Sequence, residues 1–172
     1  MAEVYIMTTD LNGESIIFLK VAPGYVERTL KTIREQPHVT KAEVVLGRHD
    51  VAISGSFKTM DELQKFASHA QGMESVRGFR AYPGLQNWTS TEKNGYATHA
   101  YLLIRSADPA RATSELSKLA GVESVIGTTG DLDVIARIGA ESRDEMFSTI
   151  LKQVSSVPGV KSTETLPTFA QF

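Results

Sequence analysis

Cysteine is absent from the 172-residue sequence, which excludes disulfides, thiolate metal sites and cysteine nucleophiles. An excess of basic charge is absent too. The chain has 18 Lys and Arg against 20 Asp and Glu, a formal charge of −2, so it lacks the dense cationic footprint of a stand-alone nucleic-acid binder. No apolar run approaches the ~20 residues that span a bilayer. Met1 to Asp10 has no basic stretch leading into an apolar one, so a secretory signal is not expected. A cytoplasmic setting is the default. What is present is an ordinary globular balance, 41% hydrophobic and 22% charged, which argues against disorder. The length suits one domain, or two compact units near the lower limit for independent folding.

The chain repeats itself. With an offset of 83 from Ile16 onward, Leu19 falls on Leu102, Val39 on Val122, Gly47 on Gly130 and Asp50 on Asp133; past the second helix the offset is 84, and Pro83 falls on Pro167. The boundaries read as an N-terminal extension over 1–14, a first unit over 15–83, a linker over 84–98 and a second unit over 99–169. The linker is polar, with glycine at both ends and no helical or strand period. Its Trp88 is expected to pack on a neighbouring surface.

Each copy predicts the order β-α-β-β-α-β. Ile16–Val21, Val39–Leu46, Val51–Phe57 and Val76–Tyr82 are strand-like runs. Val26, Leu30 and Ile33 mark a first helix behind Pro23, and Leu63, Phe66 and Ala67 a second, capped by Thr59 or Asp61. The second copy offers Tyr101–Arg105, Val122–Thr128, Leu132–Ile138 and Val160–Leu166, with helices opened by Asp108-Pro109 and by Ser142. The fold class is therefore α+β, with two tandem ferredoxin-like units of antiparallel sheet. The alternation in Leu132–Ile138 sets Leu132, Val134, Ala136 and Ile138 on one face, against Asp133, Ile135 and Arg137. Strands Ile16–Val21 and Tyr101–Ile104 are apolar on both faces. The sheet face away from the helices must be covered, and the simplest cover is the other copy, an intramolecular pseudo-dimer.

Matching turns, Gly47-Arg48-His49-Asp50 and Gly130-Asp131-Leu132-Asp133, precede the third strand of each copy. Backbone N–H groups in such a turn can hold a carboxylate and an Asp can hold an ammonium, together a clasp for a free amino acid. The alternative is that glycine makes the turn and Asp bonds local backbone. The runs Leu132-Asp133-Val134-Ile135-Ala136-Arg137-Ile138 and Val157-Pro158-Gly159-Val160, with Thr163-Glu164-Thr165 after them, resemble the Lrp/AsnC ligand-binding domain. The first copy resembles it through Leu46-Gly47-Arg48-His49-Asp50-Val51 but has Glu74-Ser75-Val76 in place of Pro-Gly-Val.

The resemblance implies a ferredoxin-like fold that assembles into oligomers and takes a small effector, commonly an amino acid. The implied ligand-binding residues are Gly47, Arg48, His49 and Asp50, their counterparts Gly130, Asp131, Leu132 and Asp133, and Arg80, Thr163 and Thr165 of the closing strands. It also implies association with Lrp-type regulators. Only Met1 to Glu14 precede the first strand, where the family carries a helix-turn-helix, so direct DNA contact is not expected. No catalytic residue, cofactor or metal is assigned. The alternative readings are an enzyme of the haem-related dimeric ferredoxin-like type, using His49, Arg48, Arg80 and Tyr82, and a metal-binding assembly protein using His49 and Asp50. His38, His49, His69 and His99 form no metal-ligand spacing, and no P-loop or nucleophile elbow is present.

Overall fold

The computed structural model describes residues 11, 13–92 and 94–170, so most of the expected N-terminal extension lies outside the described residues. The elements run β1 (Glu14–Val21), α1 (Val26–Arg34), β2 (Val39–Val45), β3 (Val51–Ser56), α2 (Met60–Gln71), β4 (Val76–Tyr82) and β5 (Gln86–Thr89). They continue with β6 (Thr98–Ser106), α3 (Pro109–Ser117), β7 (Val122–Gly127), β8 (Val134–Ala140), α4 (Arg143–Thr149) and β9 (Val160–Phe169). The last turn of α4 widens into a π turn over Ile150–Val154. The helices start where the sequence places a cap. Thr59 accepts from the Glu62 N–H at 3.3 Å, Asp108 from Arg111 at 3.2 Å with Pro109 behind it, and Ser142 from Glu145 at 3.1 Å. Helix α1 has no side-chain cap. Pro23, expected in its first turn, sits in the preceding turn instead.

All strands join one sheet in the order β4-β1-β3-β2-β9-β6-β8-β7-β5. Each copy supplies a ferredoxin-like set, β4-β1-β3-β2 and β9-β6-β8-β7, and the copies meet edge to edge. On one side β9 pairs with β2, Val44 opposite Phe169 and Val45 opposite Thr168. On the other side β5 pairs with β7 from Gln86↔Gly127 to Thr89↔Ser124. Only Pro83, Gly84 and Leu85 separate β5 from β4, so the two ends of the sheet come back together and it curls into a barrel around a shared inner core, its seam crossed by the chain and not by strand pairing. This strand lies in the segment that showed no strand period. Its pairing is specified by the free edge of β7, not by alternation in its own residues. Asn87 ties it to the first copy by donating to the Glu14 carbonyl at 2.9 Å, and Trp88 packs on the second helical core.

Three cores result. Leu19, Leu30, Ile33, Ile53 and Phe57 pack between helices and sheet in the first copy, and Leu102, Ile104, Leu116, Ala136 and Met146 in the second. The third core lies inside the barrel, between the two copies, where Ile16, Phe18, Val45, Ala52 and Tyr82 meet Tyr101, Leu103, Ile126, Ile135 and Leu166. The apolar second sheet face is therefore covered by the other copy, as the two-faced strands require. Leu132 belongs to this inner core and not to the face of Val134, because β8 begins only at Val134 and the turn before it breaks the alternation.

The structure also resets the repeat. The Asp50 N–H donates to the Leu19 carbonyl at 2.8 Å and the Asp133 N–H to the Ile104 carbonyl at 3.0 Å. Leu19 is thus the counterpart of Ile104, not of Leu102. Ala22 to Tyr25 connect the first strand and helix of copy one, against only Ala107 and Asp108 in copy two, and that shorter loop shifts the first-strand register by two residues.

Candidate functional site

The two glycine turns are shaped alike, with φ of 130° at Gly47 and 113° at Gly130. A Cβ on Gly47 would stand 2.7 Å from Leu166 Cδ2, whereas Gly130 faces open space. The Asp at the end of each turn has the same partner. Asp50 Oδ2 accepts from the Val21 N–H at 2.7 Å, and Asp133 Oδ2 from the Ser106 N–H at 2.8 Å. Both N–H groups sit where the pairing of β1 with β4, or β6 with β9, slips by one residue. A bulge frees a backbone donor there, and the carboxylate satisfies it. One oxygen of each Asp is therefore a structural brace.

The remaining turn residues reach across to the other copy. Arg48 Nε lies 2.9 Å from Glu164 Oε2 on β9. The Tyr82 hydroxyl on β4 donates to Asp131 Oδ1 at 2.9 Å. Arg48 and Asp131 are repeat counterparts, as are Arg80 and Glu164. Copy one carries the cation at both positions and copy two the carboxylate. Arg80 stands opposite Phe18 in the β1–β4 pairing, on the strand face that turns toward the barrel interior.

His49 stacks on Phe18 with ring centroids 5.0 Å apart, and its Nε2 is buried with no hydrogen-bond partner among the described residues. Burial lowers its pKa below the usual imidazole value, helped by Arg48, Lys20 and Arg80 and opposed by Asp50. Burial also raises the Tyr82 phenol to about 12, aided by its bond to Asp131. At this end of the barrel the structure brings together Gly47, Arg48, His49, Asp50, Arg80, Asp131 and Leu132.

Thr163 and Thr165 do not join them. Their register partners are Ile104 and Leu102, residues of the helix-side core, so both threonines belong to the outer face. Glu164 between them is the β9 residue that reaches the turn. Sequence reasoning missed Glu164, although its signal was present in the inverted charges at repeat-equivalent positions.

A second polar cluster was also missed. Arg137 Nε and Nη2 each bond Glu43 at 3.0 Å, and Arg137 Nη1 bonds Glu123. The Tyr101 hydroxyl donates to Glu43 at 3.0 Å, and His99 Nδ1 lies 3.3 Å from Glu123. Burial raises Tyr101 above the usual phenol range, with Glu43 adding to it. Burial works to raise Glu123, but His99 and Arg137 outweigh it and hold the carboxyl below its usual range. A cavity of about 270 Å3 opens beside Arg137 and Glu123. The one sequence signal was an arginine inside an otherwise apolar strand. Among the described residues no three His, Asp or Glu side chains converge on a metal position, and no helix is long and apolar enough to cross a membrane.

Comparison with known proteins agrees with this architecture. Residues 14–92 match the Lrp/AsnC ligand binding domain, and residues 110–170 match a C-terminal dimeric alpha+beta barrel domain. The HTH-type transcriptional regulator FL11 of Pyrococcus abyssi is 32% identical over 112 residues, covering 61% of this chain and 74% of the relative. FL11 of Pyrococcus horikoshii is 27% identical over the same length. Among solved structures, the siroheme decarboxylase NirDL superposes with a TM-score of 0.67 at 8% identity, over 94% of this chain and 76% of that one. A mutant chlorite dismutase from Candidatus Nitrospira defluvii superposes at 0.58 and 12% identity, over 91% and 90%. At such identities the likeness is one of fold.

Proposed function

The chain belongs to the Lrp/AsnC ligand-binding domain family, and from that premise we propose that it is a cytoplasmic regulatory module for a small metabolite, an amino acid. It acts through ligand-dependent assembly, with copies of itself and with Lrp-type regulators, and not by touching DNA. The observation that carries this reading is the exchange at one end of the barrel, where each turn reaches the closing strand of the other copy. Copy one brings Arg48, His49 and Arg80, and copy two brings Asp131 and Glu164. That division suits a zwitterion, its carboxylate toward the cations and the unpartnered His49 Nε2, its ammonium toward Asp131 and Glu164. A ligand bound there touches both copies and biases how they fit together, which is the requirement for coupling binding to assembly.

The test is a thermal-shift and calorimetric screen of the common amino acids against the whole chain. A ligand at 100 times its Kd is expected to stabilise the fold by about 2.7 kcal/mol. The shift should vanish in Asp131→Ala and in Arg48→Ala. A screen with no shift, or a shift untouched by both variants, overturns the proposal.

An enzymatic, haem-handling reading would use the same free His49 Nε2. Phe18, Tyr101 and Leu103 are buried and fill the barrel interior beside it, so the residues present do not fit a macrocycle without being displaced. Visible absorbance on adding haem, lost in His49→Ala, would reverse the order of the two readings.

A further inference from the structure

We infer that the cleft between the α1–β2 turn and α2 is a second binding site, for a small carboxylate with an apolar body. The cleft is a cavity of about 410 Å3 lined by Pro37, His38, Glu62, Lys65, Phe66 and His69, within the size range of small-molecule pockets.

Its first mark is strain. His38 has φ of 72°, the sole positive φ on a non-glycine residue among those described. The left-handed conformation is disfavoured for any residue with a Cβ. The sister copy is an internal control, because the counterpart of His38 is Gly121, with φ of 87° in the same turn. The turn therefore needs a residue that tolerates positive φ, and it does not need an imidazole. A strained side chain kept at the mouth of a cavity points to use of that side chain.

The second mark is that Phe66 and His69, which also line the cavity, are particular to copy one. On α2, His69 follows Lys65 by four residues and Phe66 by three, so it neighbours both on the helix surface. The π turn places the one-residue slip of the repeat here, and the positions matching Phe66 and His69 hold Thr149 or Ile150 and Lys152 or Gln153, so the aromatic floor and the second imidazole belong to the first copy alone.

The chemistry selects the ligand. Phe66 is buried, and with Pro37 it offers an apolar floor. Glu62 is already engaged, accepting from the Lys58 N–H at 2.8 Å with His38 Nδ1 3.9 Å away. Lys65 holds Asp61 at 3.0 Å in a solvent-exposed pair that costs little to open. His69 makes no hydrogen bond or ion pair among the described residues. The available groups are thus donors, from His38, Lys65 and His69. Donors set around an apolar floor suit an organic anion.

The experiment titrates the full chain with phenylacetate by calorimetry, with benzylamine as the charge-reversed control. Phenylacetate should bind saturably and benzylamine should not. His38→Gly should fold with an equal or higher Tm, since glycine relieves the strain, yet lose about tenfold or more in affinity. His69→Gln should lose a similar factor. His49→Gln should bind phenylacetate unchanged, which separates this site from the barrel-end site. The inference is overturned if the wild-type chain does not bind phenylacetate at millimolar concentration, or if benzylamine binds as well. It also fails if His38→Gly lowers Tm with binding intact, because the imidazole then serves only to pack on Phe57, whose ring centroid lies 5.7 Å away.

Discussion

At the residue scale, equivalent positions in the two copies face different surroundings, and that makes them separable. Gly47 and Gly130 both hold positive φ, but only Gly47 has Leu166 where a Cβ would go. Gly47→Ala is expected to cost about 1–3 kcal/mol more than Gly130→Ala, the added cost being overpacking; urea unfolding of the two variants reads the difference. His49 contrasts with Leu132 in the same way. Its folded pKa lies below the usual value of 6.5 because of burial and three nearby cations. The folded state therefore releases a proton that the unfolded state holds, and stability falls as pH drops from about 6.5 toward the folded pKa. Glu123, also depressed, contributes stability that is lost only below its ordinary value of 4.5, as pH falls through its folded pKa. Thermal melts from pH 8 to 3 should show both steps. His49→Gln should remove the upper one and Glu123→Gln the lower.

At the element scale, the feature that holds each copy's sheet in register is the Asp that braces a bulge. Asp133→Ala leaves the Ser106 N–H without its 2.8 Å partner. That loss is expected to cost about 1–3 kcal/mol, the desolvation of a buried donor, with the matching loss in Asp50→Ala. Chemical denaturation of both variants checks it, and an effect in one copy alone would contradict the shared role. The elements themselves were largely legible in the residues. Strands showed as β-branched runs, and the caps at Thr59, Asp108 and Ser142 marked three helix starts. Strand β5 was not legible, because Gln86-Asn87-Trp88-Thr89 has no alternation and pairs only because β7 offers an unpaired edge. The position of Pro23 and the face of Leu132 were misread for a related reason. Both lie just outside an element, where helical and strand periods no longer apply.

At the scale of the whole molecule, duplication lets one chain build a barrel that two chains would otherwise share, and the two halves have diverged toward each other. Arg137 shows this most clearly. It is nearly buried on the second copy and bonds Glu43 of the first as well as Glu123 of its own, while the inner-face residue opposite Ile16 in the first copy is Ser54. Arg137→Met takes the guanidinium from two largely buried carboxylates, leaving Glu43 with the Tyr101 hydroxyl and Glu123 with His99, and is expected to destabilise the chain by about 3–5 kcal/mol. Replacing Glu43 with Gln in the same chain should recover part of that loss, a coupling that a double-mutant cycle measures.

By itself the sequence determined the α+β class, the duplicated βαββαβ order, the two-faced apolar strands that demanded a second sheet, and the turns Gly47–Asp50 and Gly130–Asp133. Those are local matters of periodicity, capping and turn chemistry. The tertiary structure decided the rest. It closed the barrel through β5 and β9, gave Asp50 and Asp133 to the bulges, put Glu164 at the turn where Thr163 and Thr165 had been expected, and joined Arg137 to Glu43. Each of these depends on which residues of one copy face the other. That is a question of strand register across an interface, and no spacing within a single strand carries it.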